Sequence, residues 1–174
     1  MSNQFQEPRL PAEISEDAAL LFREGMRRVA GAVHIVTTDG PAGRAGFTAT
    51  AVTPVTDSPA SLLVCVNASG RSAKSLTSNG VFCVNTLGAD DWNIADIFAG
   101  RSNHQGEERF SVGHWETLAT GAPLLRTSLV AFDCRLVDAR LVATHHVMIG
   151  EVVEVRLGQS QPALVYLRRA YQPL

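Results

Sequence analysis

From Gly31 onward the chain is written in short runs of β-branched and apolar residues, each closed by Gly, Pro, Asn or Asp. This constrains the fold more than any other feature. Val33-His34-Ile35-Val36-Thr37-Thr38 alternates loosely, residues 39–43 form a turn cluster, and residues 46–52 resume the extended pattern, which together predict a hairpin. Further strands are expected at 61–66 after Asp57-Ser58-Pro59, and at 81–85 after Asn79-Gly80. The C-terminal part adds 129–136, then 141–150 continuing through 151–157, and 163–167. A parallel sheet needs a crossover helix between strands, and this sequence has too few helical segments to supply them. The expectation is a mainly β, antiparallel barrel with short helices on its flank.

Three segments carry a helical period. Leu21, Phe22, Gly25, Met26 and Val29 recur at three- and four-residue steps, predicting a helix that starts between Ser15 and Asp17. Residues 72–76 suit a short helix. Another, carrying Ile94 and Phe98 four apart, is expected to be capped by Asp90 or Asp91 and ended by Gly100. Residues 100–125 are polar, and 100–106 read as a mobile loop. Residues 1–15 read as a polar, Pro-containing N-terminal tail and 16–174 as one domain, in keeping with roughly 150 residues per domain.

Composition narrows the function classes. Fifteen Lys plus Arg against 17 Asp plus Glu leave a formal net charge of −2, so nucleic acid and membrane surfaces are not expected partners. The longest apolar runs, such as residues 62–66, fall far short of the ~20 residues of a membrane helix. The opening Met1-Ser2-Asn3-Gln4-Phe5-Gln6-Glu7-Pro8 has neither a basic nor an apolar region of a secretion signal, which predicts a cytoplasmic protein. Cys65, Cys83 and Cys134 are odd in number, far apart and set in apolar stretches, as buried free thiols would be.

No glycine-rich dinucleotide or triphosphate loop is present, and no nucleophile elbow. His145 and His146 are adjacent in a predicted strand, so their side chains point to opposite faces and cannot share a metal; no metal site is expected. Gly46-Phe47-Thr48-Ala49-Thr50 is small and hydroxyl-bearing, and Asn67-Ala68-Ser69-Gly70-Arg71-Ser72 leads into a helix with Lys74 nearby. Small residues let a planar ligand approach the backbone. Hydroxyls, basic side chains and a helix N-terminus suit a phosphate, and a flavin mononucleotide has both parts.

At these residues the sequence resembles the short-chain flavin reductase family, the small components of two-component flavin-dependent monooxygenases, with pyrimidine-degradation FMN reductases and corrinoid reductases among its relatives. The matching stretches are residues 36–52, 61–67 and 82–87, Arg109-Phe110 ahead of Trp115, Phe132-Asp133-Cys134, the 145–150 strand, and Leu164-Val165-Tyr166 with Arg169 and Tyr171. The resemblance implies a Greek-key, FMN-binding split barrel that forms a homodimer with flavin at the interface and reduces FMN or FAD with NADH or NADPH. It places Gly46, Phe47, Thr48, Ala49 and Thr50 along the isoalloxazine and its side chain. Asn67, Ser69, Arg71, Ser72 and Lys74 come toward the phosphate, and Asn85 and Phe98 near the flavin. The family's Gly-Asp-His motif falls on Ala143-Thr144-His145 ahead of Gly150. The histidine is kept, the Gly and Asp are replaced, and His145 becomes the residue that positions the nicotinamide. Hydride then moves from nicotinamide C4 to flavin N5, with the cofactors carrying the chemistry. The acceptor of the electrons stays open between free flavin for a partner monooxygenase and a corrinoid, cob(II)yrinic acid a,c-diamide taken to cobalt(I). A non-catalytic flavin- or haem-binding protein is the reading from outside enzymology.

Overall fold

The structure, a computed structural model, describes residues 16–174; the tail expected over 1–15 lies outside the described residues. The chain runs α1 (Glu16–Met26), β1 (Gly31–Ala32), β2 (His34–Thr38), β3 (Ala45–Ala49), β4 (Val52–Asp57), β5 (Ala60–Asn67), α2 (Arg71–Asn79) and β6 (Val81–Thr86). A 3₁₀ turn at Ala89–Asp91 leads into α3 (Trp92–Phe98), and a second at Gly106–Ser111 precedes β7 (Trp115–Thr117) and β8 (Pro123–Leu125). The long strands β9 (Val130–Val142) and β10 (His145–Leu157) follow, then β11 (Leu164–Leu167) and β12 (Ala170–Pro173).

Seven strands form one antiparallel sheet in the order β3-β2-β6-β9-β10-β5-β4, with the β9–β10 hairpin inserted between strands from earlier in the chain. Its two edges, β3 and β4, are joined by Thr50 and Ala51 alone, so the sheet has to curl until the edges meet. The edges are not zipped together: Cys65 N donates to Ala51 O at 3.0 Å, and α2 packs into the seam beyond. Ala73 and Leu76 of α2 are buried with Val36, Val64, Phe82, Val84 and Met148 in the barrel interior. The result is a split barrel plugged by a helix. Extended strands alternate faces, so Val36 points into the barrel while Val33 and Ile35 point outward into a second core with Phe98, Phe110, Leu125 and Leu164. Gly150 makes the interior fit: a Cβ there would lie 2.3 Å from Phe82 Cζ and 3.0 Å from Cys134 Cβ.

Three sequence expectations change in detail. The extended run 46–52 is broken at Thr50-Ala51 and serves both edges of the sheet, and β4 continues past it to Asp57. The strands expected at 129–136 and 141–157 are one hairpin of two 13-residue strands, turning at Ala143-Thr144. That turn is hidden in the sequence because it holds no Gly or Asn; Ala143 itself adopts φ 51°. Asp91 precedes α3 but makes no side-chain cap bond, and its carboxylate accepts instead from Thr127 Oγ1 at 2.9 Å. The predicted α1 is present, yet none of its residues is buried.

Candidate functional site

The site is built on the free edge of β3. Gly46 is required there because a Cβ would sit 2.8 Å from the Phe98 ring and 3.1 Å from Val36 O. Its carbonyl faces away from β2 and accepts from Ser72 Oγ and from the Arg109 guanidinium, both at 3.3 Å. By the two-residue period of a strand, the backbone groups of Thr48 face the same open edge, and Thr50 follows one residue past the end of β3. The side chains divide differently. Phe47 and Ala49 pack on the barrel core, Thr48 Oγ1 donates to Ala95 O at 2.6 Å and ties β3 to α3, and Thr50 is exposed.

One end of this edge opens into a cavity of about 510 Å³ lined by Arg44, Gly46, Arg71, Ser72, His104 and Arg109, among others. Arg109 is held in place by Gly46 O, Phe98 O and His104 O. Arg44 pairs with Asp39 at 3.0 Å and lies over the Phe110 ring. The N-terminus of α2 borders the same cavity, and Gly70 before it supplies no side-chain cap. A helix N-terminus beside three guanidinium groups is an arrangement that could hold an anion. Asn67 accepts from the N–H and the hydroxyl of Ser69 at 2.9 and 2.8 Å, which fixes the shape of the loop, while Lys74 is exposed on α2.

The other end opens into a cavity of about 710 Å³, lined by residues that include Phe22, Met26, His34, Thr50, Tyr166 and Arg168. Burial pushes the His34 imidazole down to about 4, so it is neutral at pH 7; its Nδ1 lies 3.0 Å from Thr86 Oγ1. From Gly46 to Ala49 the strand advances about 10 Å at ~3.3 Å per residue, and Thr50 lies one residue beyond. That matches the span from phosphate to ring in an extended flavin mononucleotide.

His145 opens β10 directly opposite Asn67 of β5, is exposed, and lies 2.9 Å through Nδ1 from Thr144 Oγ1. The Thr144 carbonyl accepts from Ala68 N at 3.0 Å, so the histidine and the loop leading to α2 are brought side by side. Asn85 and Phe98 are both buried, and the Phe98 ring lies directly against Gly46. Asn85 is fully buried, donating to Ile35 O and accepting from Leu125 N, and Phe98 is 1% exposed in the outer core. Phe98 thus supports the site from beneath Gly46, while Asn85 ties β6 to β2 and β8. Sequence reasoning passed over Arg44, Arg109, His104 and His34. Arg109 was visible only as one member of a matching pair, and nothing local tells that a residue 63 positions away closes on Gly46.

Residues 26–174 match the flavin reductase like domain family. The chain is 51% identical over 150 residues to "FMN reductase (NADH) RutF" of Ancylobacter novellus, covering 86% of this chain and 82% of that one. It is 43% identical over 169 residues to the protein of the same name in Agrobacterium fabrum, covering 97% and 96%. The crystal structure of BorF, the flavin reductase component of a bacterial two-component tryptophan halogenase, superposes with a TM-score of 0.83 at 30% identity, covering 90% of this chain and 98% of that one. A family match over most of its length and relatives at this level of identity show that the chain belongs to the flavin reductase like domain family.

Proposed function

We propose that this protein is an NADH-dependent FMN reductase that releases reduced flavin to a separate oxygenase. The observation that carries the reading is the open edge of β3, running from the arginine-lined cavity at Gly46 to the cavity at Thr50 and His34 over the length of one FMN. Arg71, Ser72 and Arg109 hold the phosphate, with the α2 amides behind them. The backbone groups of Thr48 meet the polar edge of the ring, and Thr50 and His34 wall its cavity. His145, beside Asn67, orients the nicotinamide. Bound flavin supplies the hydride acceptor at N5, so the chain itself has to stack, orient and exclude water rather than move protons.

The names of the relatives favour FMN and NADH over FAD and NADPH. The two-component halogenase relative favours a separate partner for the reduced flavin. The unburied apolar face of α1, with Leu20, Leu21, Phe22 and Met26 each at least half exposed, supports a homodimer. The test is NADH oxidation by the purified protein with and without added FMN. Turnover that depends on free FMN supports the reading. Turnover that needs a corrinoid, or no oxidation of NADH or NADPH with any flavin, defeats it. Thr48→Pro, which removes a backbone N–H from the open edge, is expected to weaken FMN binding at least tenfold in a fluorescence titration.

A further inference from the structure

The hairpin between β11 and β12 turns through Arg168 and Arg169, whose φ angles are 51° and 64°. Two consecutive left-handed residues are the mark of a turn that favours Asn-Gly or Asp-Gly, because a Cβ is strained in this region. Here both positions are arginine. The turn is tied to the end of α1 by Arg168 N donating to Arg27 O at 3.0 Å. Around it, Arg23, Arg27, Arg168 and Arg169 line the cavity that also contains Thr50 and His34, and Arg28 lines the adjoining recess. Against these five guanidinium groups stands one carboxylate, Glu24, paired with Arg27 at 2.6 Å and held below the usual carboxylate range by that partner first and by Arg28 and Arg169 after it. Among the described residues, Arg23, Arg28, Arg168 and Arg169 have no ion pair.

This cradle is separate from the arginines at Gly46. It lies at the ring end of the proposed flavin track, where a hydride donor has to approach. We propose that Arg23, Arg168 and Arg169 bind the pyrophosphate of the dinucleotide hydride donor. The inference rests on the flavin reading above and deepens it by naming how the donor is held. A nucleotide pyrophosphate carries two negative charges and several acceptor oxygens, which convergent guanidinium forks recognise better than isolated ammonium groups do. Strained backbone clusters at ligand-binding sites, where the side chains it presents have a use that offsets its cost. The same chemistry is found in FAD, so the donor and the flavin have to be told apart by experiment.

The decisive variant is Arg168→Asn with Arg169→Gly. It installs the residues the turn prefers, so its melting temperature is expected to rise, while KM for NADH with FMN as acceptor is expected to rise about tenfold or more through loss of charge-assisted contacts. The dissociation constant for FMN and the KM for reduced nicotinamide riboside, which has no phosphate, stay unchanged. Arg23→Gln, on α1 rather than in the hairpin, gives the same split and decides the matter if the double variant folds poorly. An unchanged KM for NADH overturns the proposal, as does an equal rise for the riboside. Weakened FAD binding relative to FMN, with KM for NADH unmoved, assigns the cradle to the flavin's pyrophosphate and also overturns it. Failure of the wild-type protein to bind FMN would instead defeat the flavin reading itself.

Discussion

His34 shows how one residue joins stability to the site. Its folded pKa, near 4, lies below the unfolded value of 6.5 because burial disfavours the cation. Between those values the unfolded chain binds the extra proton, so stability rises with pH across this window and falls as pH drops from 6.5 toward 4. The loss attributable to this group is roughly 3 kcal/mol at about 1.4 kcal/mol per pH unit. Urea denaturation at pH 7, 5.5 and 4.5 should show it as a difference between the wild type and His34→Asn; parallel pH profiles would remove His34 as the cause. Ala143 makes a second residue-scale case. The residue holds a left-handed φ of 51° in the β9–β10 turn, where the family pattern has Gly. Ala143→Gly relieves about 1–2 kcal/mol of strain and costs about 0.5–1 kcal/mol in chain entropy. A net gain of about 0.5–1 kcal/mol is expected in denaturant unfolding, with the neighbouring His145 left in place.

Among the elements, two glycines separate packing from function. Gly150→Ala drives a methyl into Phe82 inside the barrel, and overpacking of this kind costs typically about 1–3 kcal/mol. Thermal unfolding should show a marked drop, while FMN affinity below the transition stays near wild type. Gly46→Ala meets the Phe98 ring and Val36 O at the edge strand that carries the proposed flavin track. It should weaken FMN binding at least as much as it lowers the melting temperature, and intact FMN affinity would count against the track. The elements also show what was legible. Hairpin β2–β3, strands β5 and β6 and helices α2 and α3 follow from turn residues and period. The turn at Ala143-Thr144 did not, because its strain is sustained by 13 residues of pairing on each side rather than by residue type. The break at Thr50-Ala51 was equally hidden, since residues 46–52 are uniformly strand-forming and only the curl of the sheet divides them between two edges.

At the scale of the whole molecule, α1 lays Leu20, Leu21, Phe22 and Met26 in the open, and Val137, Leu141, Val142 and Val155 are exposed on β9 and β10. An apolar helix face left open in this way suits the proposed homodimer. Light scattering is expected to give twice the chain mass, and Leu21→Lys with Phe22→Lys should shift it toward the monomer; a wild-type monomer would defeat the homodimer. The sequence by itself determined the antiparallel β class, the family and the two segments that flank the proposed flavin. Periodicity, turn chemistry and ordered motifs are local properties that the chain carries wherever it folds. Tertiary structure alone decided that Arg109 reaches Gly46, that Asn85 and Phe98 are buried, and that Arg23 and Arg168 share a cavity with Thr50. Those relations depend on how a seven-stranded sheet closes on itself, which brings together residues more than a hundred positions apart.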